Sequence, residues 1–233
     1  SYGSFVGSWN LLIYGTAIYL MAKIKGDGQV GRGKISFFFY FLGLTNLMFG
    51  WAHHTYIIPS QPWIRYVAYA VSMTEWIIFI HIVNNWRKSL STEKKKINLL
   101  AYRFLMAADL WVFLNLILAL LMSIPVLNYY MHGTHITVAH SMGTTIGINT
   151  SILLASVSFM VSKLIKKRKL EQNKIVTIGF YTFNTSLLFF WIILIIGGIY
   201  KAVWMSNPVH GSFGDLQDAS SSIFMVFIIF GCI

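Results

Sequence analysis

Apolar runs of roughly twenty residues recur along nearly the whole chain, and no other feature limits so strongly what it can fold into. A helix rises about 1.5 Å per residue, so about 20 apolar residues cross a hydrocarbon core of about 30 Å. Runs of that kind lie near residues 5–24, 35–56, 62–86, 97–125, 136–162 and 175–203, and a seventh starts near 221. A membrane β-barrel would need short segments alternating strictly between apolar and polar. The run Leu188 to Ile199 is apolar on every face instead, so the spanning element is helical. Charged residues make up only 11% of the 233 positions, against about one quarter in soluble domains. So few charges cannot cover a water-exposed surface. The expected fold class is all-α, a polytopic transmembrane helical bundle of about seven spans.

The formal charge of +11 could point to nucleic acid, but its distribution points to a membrane. Connections 23–34, 87–96 and 163–174 hold fifteen of the eighteen Lys and Arg residues. Lys and Arg accumulate in cytoplasmic loops, so these three connections are expected inside and the loops at 57–61, 126–135 and 204–220 outside. Every second connection is basic, as seven alternating spans require. The charge excess therefore calls for a lipid bilayer and for no nucleic acid. Gly26, Gly28, Gly31, Gly33, Pro59, Pro62, Pro125 and Pro208 fall between spans, where a helix can end outside lipid.

No internal repeat or low-complexity linker divides the chain, so residues 1–233 read as a single transmembrane bundle. Both ends lie within apolar sequence, which predicts a fragment of a longer subunit whose remainder packs beside it. The lone cysteine, Cys232, rules out a disulfide framework or thiolate cluster built within these residues.

Imidazole is costly in hydrocarbon unless it binds something, and five of the seven histidines gather near the outer ends of two spans. His53 and His54 end the second span; His132, His135 and His140 bracket the start of the fifth. Neutral imidazole is a common ligand of transition metals and haem iron, and helical bundles build such sites from facing helices. His140 and Met142 are two residues apart, so at about 100° per residue they face opposite sides of a helix and could serve two haems. Glu75, midway along the third span, is a carboxylate in a costly place and a further functional candidate. The plainer readings are an interfacial role for a span-end histidine and a packing role for Met142, one of ten methionines. His81, His210 and Asp109 read as structural or interfacial.

The stretch Asn128-Tyr129-Tyr130-Met131-His132-Gly133-Thr134-His135-Ile136-Thr137-Val138-Ala139-His140-Ser141-Met142 resembles, without a gap, the N-Y-Y-T-H-G-T-x-x-T-A-A-H-G-H segment of the large (cytochrome b) subunit of bacterial nitric oxide reductases. These belong to the haem–copper oxidase superfamily. Gly50-Trp51-Ala52-His53-His54-Thr55-Tyr56, followed by Glu75, is similar to the same family's G-x-x-H-H-Y-Y and the glutamate of its next helix. The resemblance implies the C-terminal half of a subunit I of about twelve spans. It implies haem b on His140 as the high-spin centre, a non-haem iron on His53 and His54, and Glu75 beside that metal. Nitric oxide would be reduced to nitrous oxide, with electrons from a membrane-anchored cytochrome c subunit. The implied location is the bacterial inner membrane, with the histidine clusters towards the periplasm.

Several ligand positions depart from that pattern. The histidine that ligates the family's low-spin haem falls on Met142, which makes that haem His/Met-ligated or absent. Near the start, H-x-x-x-E-G-x-W-E becomes Tyr2-Gly3-Ser4-Phe5-Val6-Gly7-Ser8-Trp9-Asn10, losing the third metal histidine and both carboxylates. An alternative expectation is thus a degenerate paralogue, a structural or electron-transfer subunit of a larger respiratory complex. A third is a transporter whose histidines handle protons or a metal ion.

Overall fold

The computed structural model describes residues 2–49, 59, 61–165, 173–209 and 211–233, and no strand occurs among them. Eleven α-helices are described: α1 (Tyr2–Lys25), α2 (Gln29–Arg32), α3 (Lys34–Phe49), α4 (Pro62–Ser89), α5 (Thr92–Ile97), α6 (Leu99–Ser123), α7 (Pro125–Met131), α8 (His135–Met142), α9 (Ser151–Ile165), α10 (Lys174–Ser206) and α11 (Phe213–Gly231). A π-helical segment, Gly143–Thr150, joins α8 to α9 within one continuous rod.

Four stretches among the described residues are long and apolar enough to cross a membrane: Leu99–Ser123, His135–Leu164, Lys174–Ser206 and Phe213–Gly231. Helices α1, α3 and α4 occupy the first three expected spans. The outward faces of the spans are as apolar as the inward ones. On α6, Leu110, Phe113, Ile117 and Leu121 form an exposed stripe at three- and four-residue spacing, and Leu153, Val157, Met160 and Leu164 do the same on α9. Such stripes are stable against lipid or further apolar protein, not water.

Helix α11 corrects the expected start of the seventh span, beginning at Phe213 and not near 221. Hydropathy misses its first turns because Asp215, Gln217 and Asp218 are polar. A capping box nucleates them: Asp215 N donates to Ser212 Oγ at 3.3 Å, and Ser212 N donates to Asp215 Oδ2 at 2.6 Å.

Long helices that follow one another in the chain run antiparallel, and the first two basic connections lie at one end. Lys94 Nζ donates to the carbonyl of Lys25. Trp86 Nε1 donates to Met21 O at 2.8 Å, tying the C-terminal ends of α4 and α1. Arg103 of α6 lies over the Tyr181 ring of α10, 6.0 Å from its centroid. The larger buried apolar cluster sits towards this end, around Met21, Trp86, Phe104, Trp111 and Ile152. A smaller one, Leu118, Met122, Ile136, Ala139 and Leu194, lies towards the other end, where α8 begins.

Candidate functional site

The segment from Asn128 to Thr144 is built as a turn that delivers one helix into the gap between two others. Asn128 is fully buried and its Nδ2 donates to Met122 O at 2.7 Å, fixing the short α7 beneath the end of α6. Gly133 takes a φ of +72°, a left-handed conformation that a side chain would resist. Thr134 is the N-cap of α8, accepting from Ile136 N at 3.3 Å and donating to Met131 O at 2.6 Å. Thr137 reaches the same carbonyl at 3.2 Å, and Lys201 of α10 donates to Gly133 O at 2.9 Å. Four motif residues that carry no reactive chemistry are thus used to aim α8.

Two close approaches then hold α8 and the π segment sideways. A Cβ at Gly198 would overlap the Ile136 amide nitrogen, so α10 packs directly on the α8 backbone. One at Gly143 would lie 2.5 Å from Asn115 Oδ1 and 3.2 Å from Trp191 Nε1, and one at Gly147 would lie 2.6 Å from the Trp111 ring. Trp111 and Trp191 meet edge to face with centroids 6.0 Å apart.

His140 lies in the last turn of α8, half-buried, beside fully buried Ala139. Its carbonyl accepts from Thr144 Oγ1 at 3.2 Å, and Thr144 Oγ1 accepts from Asn115 Nδ2 at 2.6 Å. The Gly143 amide is shared between the carbonyls of Ala139 and His140, four and three residues back, at the point where the π segment begins. Gly143-Thr144-Thr145-Ile146-Gly147-Ile148-Asn149-Thr150 contains only poor helix formers, so the α pattern is weakly preferred there. Thr145 and Thr150 hydroxyls supply the carbonyls of Ser141 and Thr145 at 2.7 and 2.9 Å, the second across five residues.

Met142 is half-buried and packs against the Leu118, Met122 and Leu194 cluster. His132 ends α7 and His135 opens α8, its ring 4.9 Å from that of Phe224. His53 and His54 lie outside the described residues. Glu75 is on α4, but its side chain also lies outside them. Among the described residues, no group of three or more His, Cys, Asp or Glu side chains could hold a metal ion.

The family model described as Cytochrome C and Quinol oxidase polypeptide I matches residues 4–233. The chain belongs to this family. Members of the cytochrome c and quinol oxidase polypeptide I family are haem–copper oxidase subunit I proteins and bind haem. The expected superfamily, the helical membrane bundle and a multi-pass membrane location therefore hold.

Haem iron takes an axial donor from the protein, most simply a histidine nitrogen. His140 offers a donor of that kind, a half-buried imidazole in the last turn of α8 next to fully buried Ala139. Asn115, Thr144, Trp191 and the close-contact glycines were not singled out by sequence. The signals in the sequence were weak: an amide in the apolar second half of a span and a threonine four residues after His140.

Proposed function

We propose that the chain is the haem-bearing part of an integral-membrane respiratory subunit of nitric oxide reductase type. His140 would be the axial ligand of a high-spin haem b, His53 and His54 would hold a non-haem iron, and Glu75 would serve that metal or its proton supply. The observation that carries this reading is the ungapped match of Asn128 to His140 with the reductase motif, in a chain of the haem–copper oxidase family. When bound, the haem and iron would supply the electrons that convert two nitric oxide molecules and two protons to nitrous oxide and water. The protein's own part is to present the imidazole from a turn braced by α6 and α10, and to exclude lipid and bulk water from it. The basic connections would be cytoplasmic and the start of α8 periplasmic, in the bacterial inner membrane. There a membrane-anchored cytochrome c subunit would deliver electrons.

A pyridine haemochrome assay with iron analysis, run on the purified complex beside a nitric oxide consumption assay, tests this. Haem b, extra non-haem iron and nitrous oxide production are expected. His140→Ala should abolish the high-spin haem signal; an unchanged spectrum would remove the assignment. Met142→His should move a low-spin haem from His/Met to bis-His character, and an unmoved spectrum excludes Met142 as a ligand.

A second reading is favoured by Tyr2, Val6, Asn10 and Met142, which stand where the reductase motif has metal or haem ligands and carboxylates. It makes the chain a degenerate subunit serving electron transfer or structure in a larger respiratory complex. Haem without non-haem iron and without nitric oxide turnover is its expected result.

A further inference from the structure

We propose that Asn115 is a positioning residue for the His140 imidazole and, together with Trp191, holds a single buried water molecule against the π segment. The positioning half rests on reading His140 as a haem ligand; the water half does not. Thr144 has one hydroxyl proton, and it goes to the His140 carbonyl, so its oxygen is free to accept from Asn115 Nδ2. A side chain of α6 thereby fixes the peptide that follows the imidazole, through one hydroxyl. Such a tie matters in the turn carrying His140 because that turn abuts the π segment and the Gly143 amide is divided between two carbonyls there, one of them that of His140.

Using Nδ2 in this way leaves Asn115 Oδ1 over. That acceptor and the donor Trp191 Nε1 are both buried and have no hydrogen-bond partner among the described residues. Both surround the same vacant Cβ position of Gly143, at 2.5 and 3.2 Å, so they are at most 5.7 Å apart, the two distances laid end to end. Two hydrogen bonds of about 2.9 Å through one water reach across separations up to that limit, and two polar partners are the least a buried water takes. The water would accept from Trp191 and donate to Asn115. A methyl group at Gly143 would crowd both of its partners.

The test uses the complete subunit in its purified complex, with Thr144→Val, Thr144→Ser, Asn115→Leu and His140→Ala. Resonance Raman of the ferrous haem should show a shifted iron–histidine band in Thr144→Val and Asn115→Leu at unchanged haem content, with the wild-type band restored in Thr144→Ser. A band that stays in place in Thr144→Val overturns the positioning role. If His140→Ala keeps the wild-type spectrum, the ligand reading itself has failed, and positioning falls with it. The water is read separately by synchrotron hydroxyl-radical footprinting with mass spectrometry, which marks side chains touching bound water whether or not haem is loaded. Trp191 should be oxidised in the wild type and protected in Asn115→Leu. An unlabelled Trp191 in the wild type overturns the water site.

Discussion

A methyl group at Gly198 and one at Gly179 would have opposite effects, although both glycines lie on α10. At Gly198 the added carbon would overlap the Ile136 amide, and the obstacle is backbone, which cannot swing aside. Gly179 has nothing within 4 Å, so the added carbon meets open space. Gly198→Ala is therefore expected to destabilise by about 1–3 kcal/mol, the usual cost of overpacking. Gly179→Ala should stabilise by about 0.5–1 kcal/mol through helix propensity and a less flexible unfolded chain. Thermal unfolding of the two variants in one detergent decides it; equal shifts would mean that α8 and α10 do not touch as described. A third response is expected at Gly133, where the φ of +72° and not a neighbour sets the cost. Gly133→Ala should lose about 1–2 kcal/mol while leaving the contacts of α10 in place.

At the level of elements, the start of α11 is a local device that can be tested alone. Ser212→Ala removes the hydroxyl that accepts from Asp215 N, and Asp215→Ala removes the carboxylate that accepts from Ser212 N and Oγ. Each should cost about 0.5–2 kcal/mol, with faster hydrogen exchange confined to the first turn of α11. Exchange unchanged there would show that packing against α10 holds the turn without its cap. The same turn shows what the sequence could not reveal. Span cores such as 175–203 were legible because hydropathy averages over many residues, whereas the polar first turns of α11 pull that average down although their cap makes them helical. The π segment was hidden for another reason: the choice between α and π bonding over eight residues depends on hydroxyl and backbone bonds, which no hydropathy pattern carries. At the candidate site, His140 was legible through a motif with fixed spacing. Asn115, Thr144 and Trp191 were not, because their meeting depends on the register between α6, α10 and the π segment, which no local pattern carries.

For the whole molecule, the distribution of charge and the contacts between helix ends make one joint prediction about sidedness. Lys94 reaching the Lys25 carbonyl places the first two basic connections at one end, and Arg103 over Tyr181 brings the start of α10 to the same end. Lys201 reaching Gly133 O brings the end of α10 to the start of α8 at the other. If the basic end is cytoplasmic, a thiol at residue 28 or 91 must be shielded from a membrane-impermeant maleimide added to intact cells, and one at residue 129 or 207 must react. Residues 1–233 hold one cysteine, so Cys232→Ser, with any cysteine outside these residues also replaced, is the background for Gly28→Cys, Ser91→Cys, Tyr129→Cys and Asn207→Cys. Permeabilised cells should label all four, which separates shielding by the membrane from burial in the protein. Labelling of 28 and 91 from outside, with 129 and 207 protected, would invert the topology and move His140 towards the cytoplasm. Residues 28 and 91 labelling on opposite sides would contradict the helix pairing itself, since the Lys94 to Lys25 contact needs both connections on one face of the membrane.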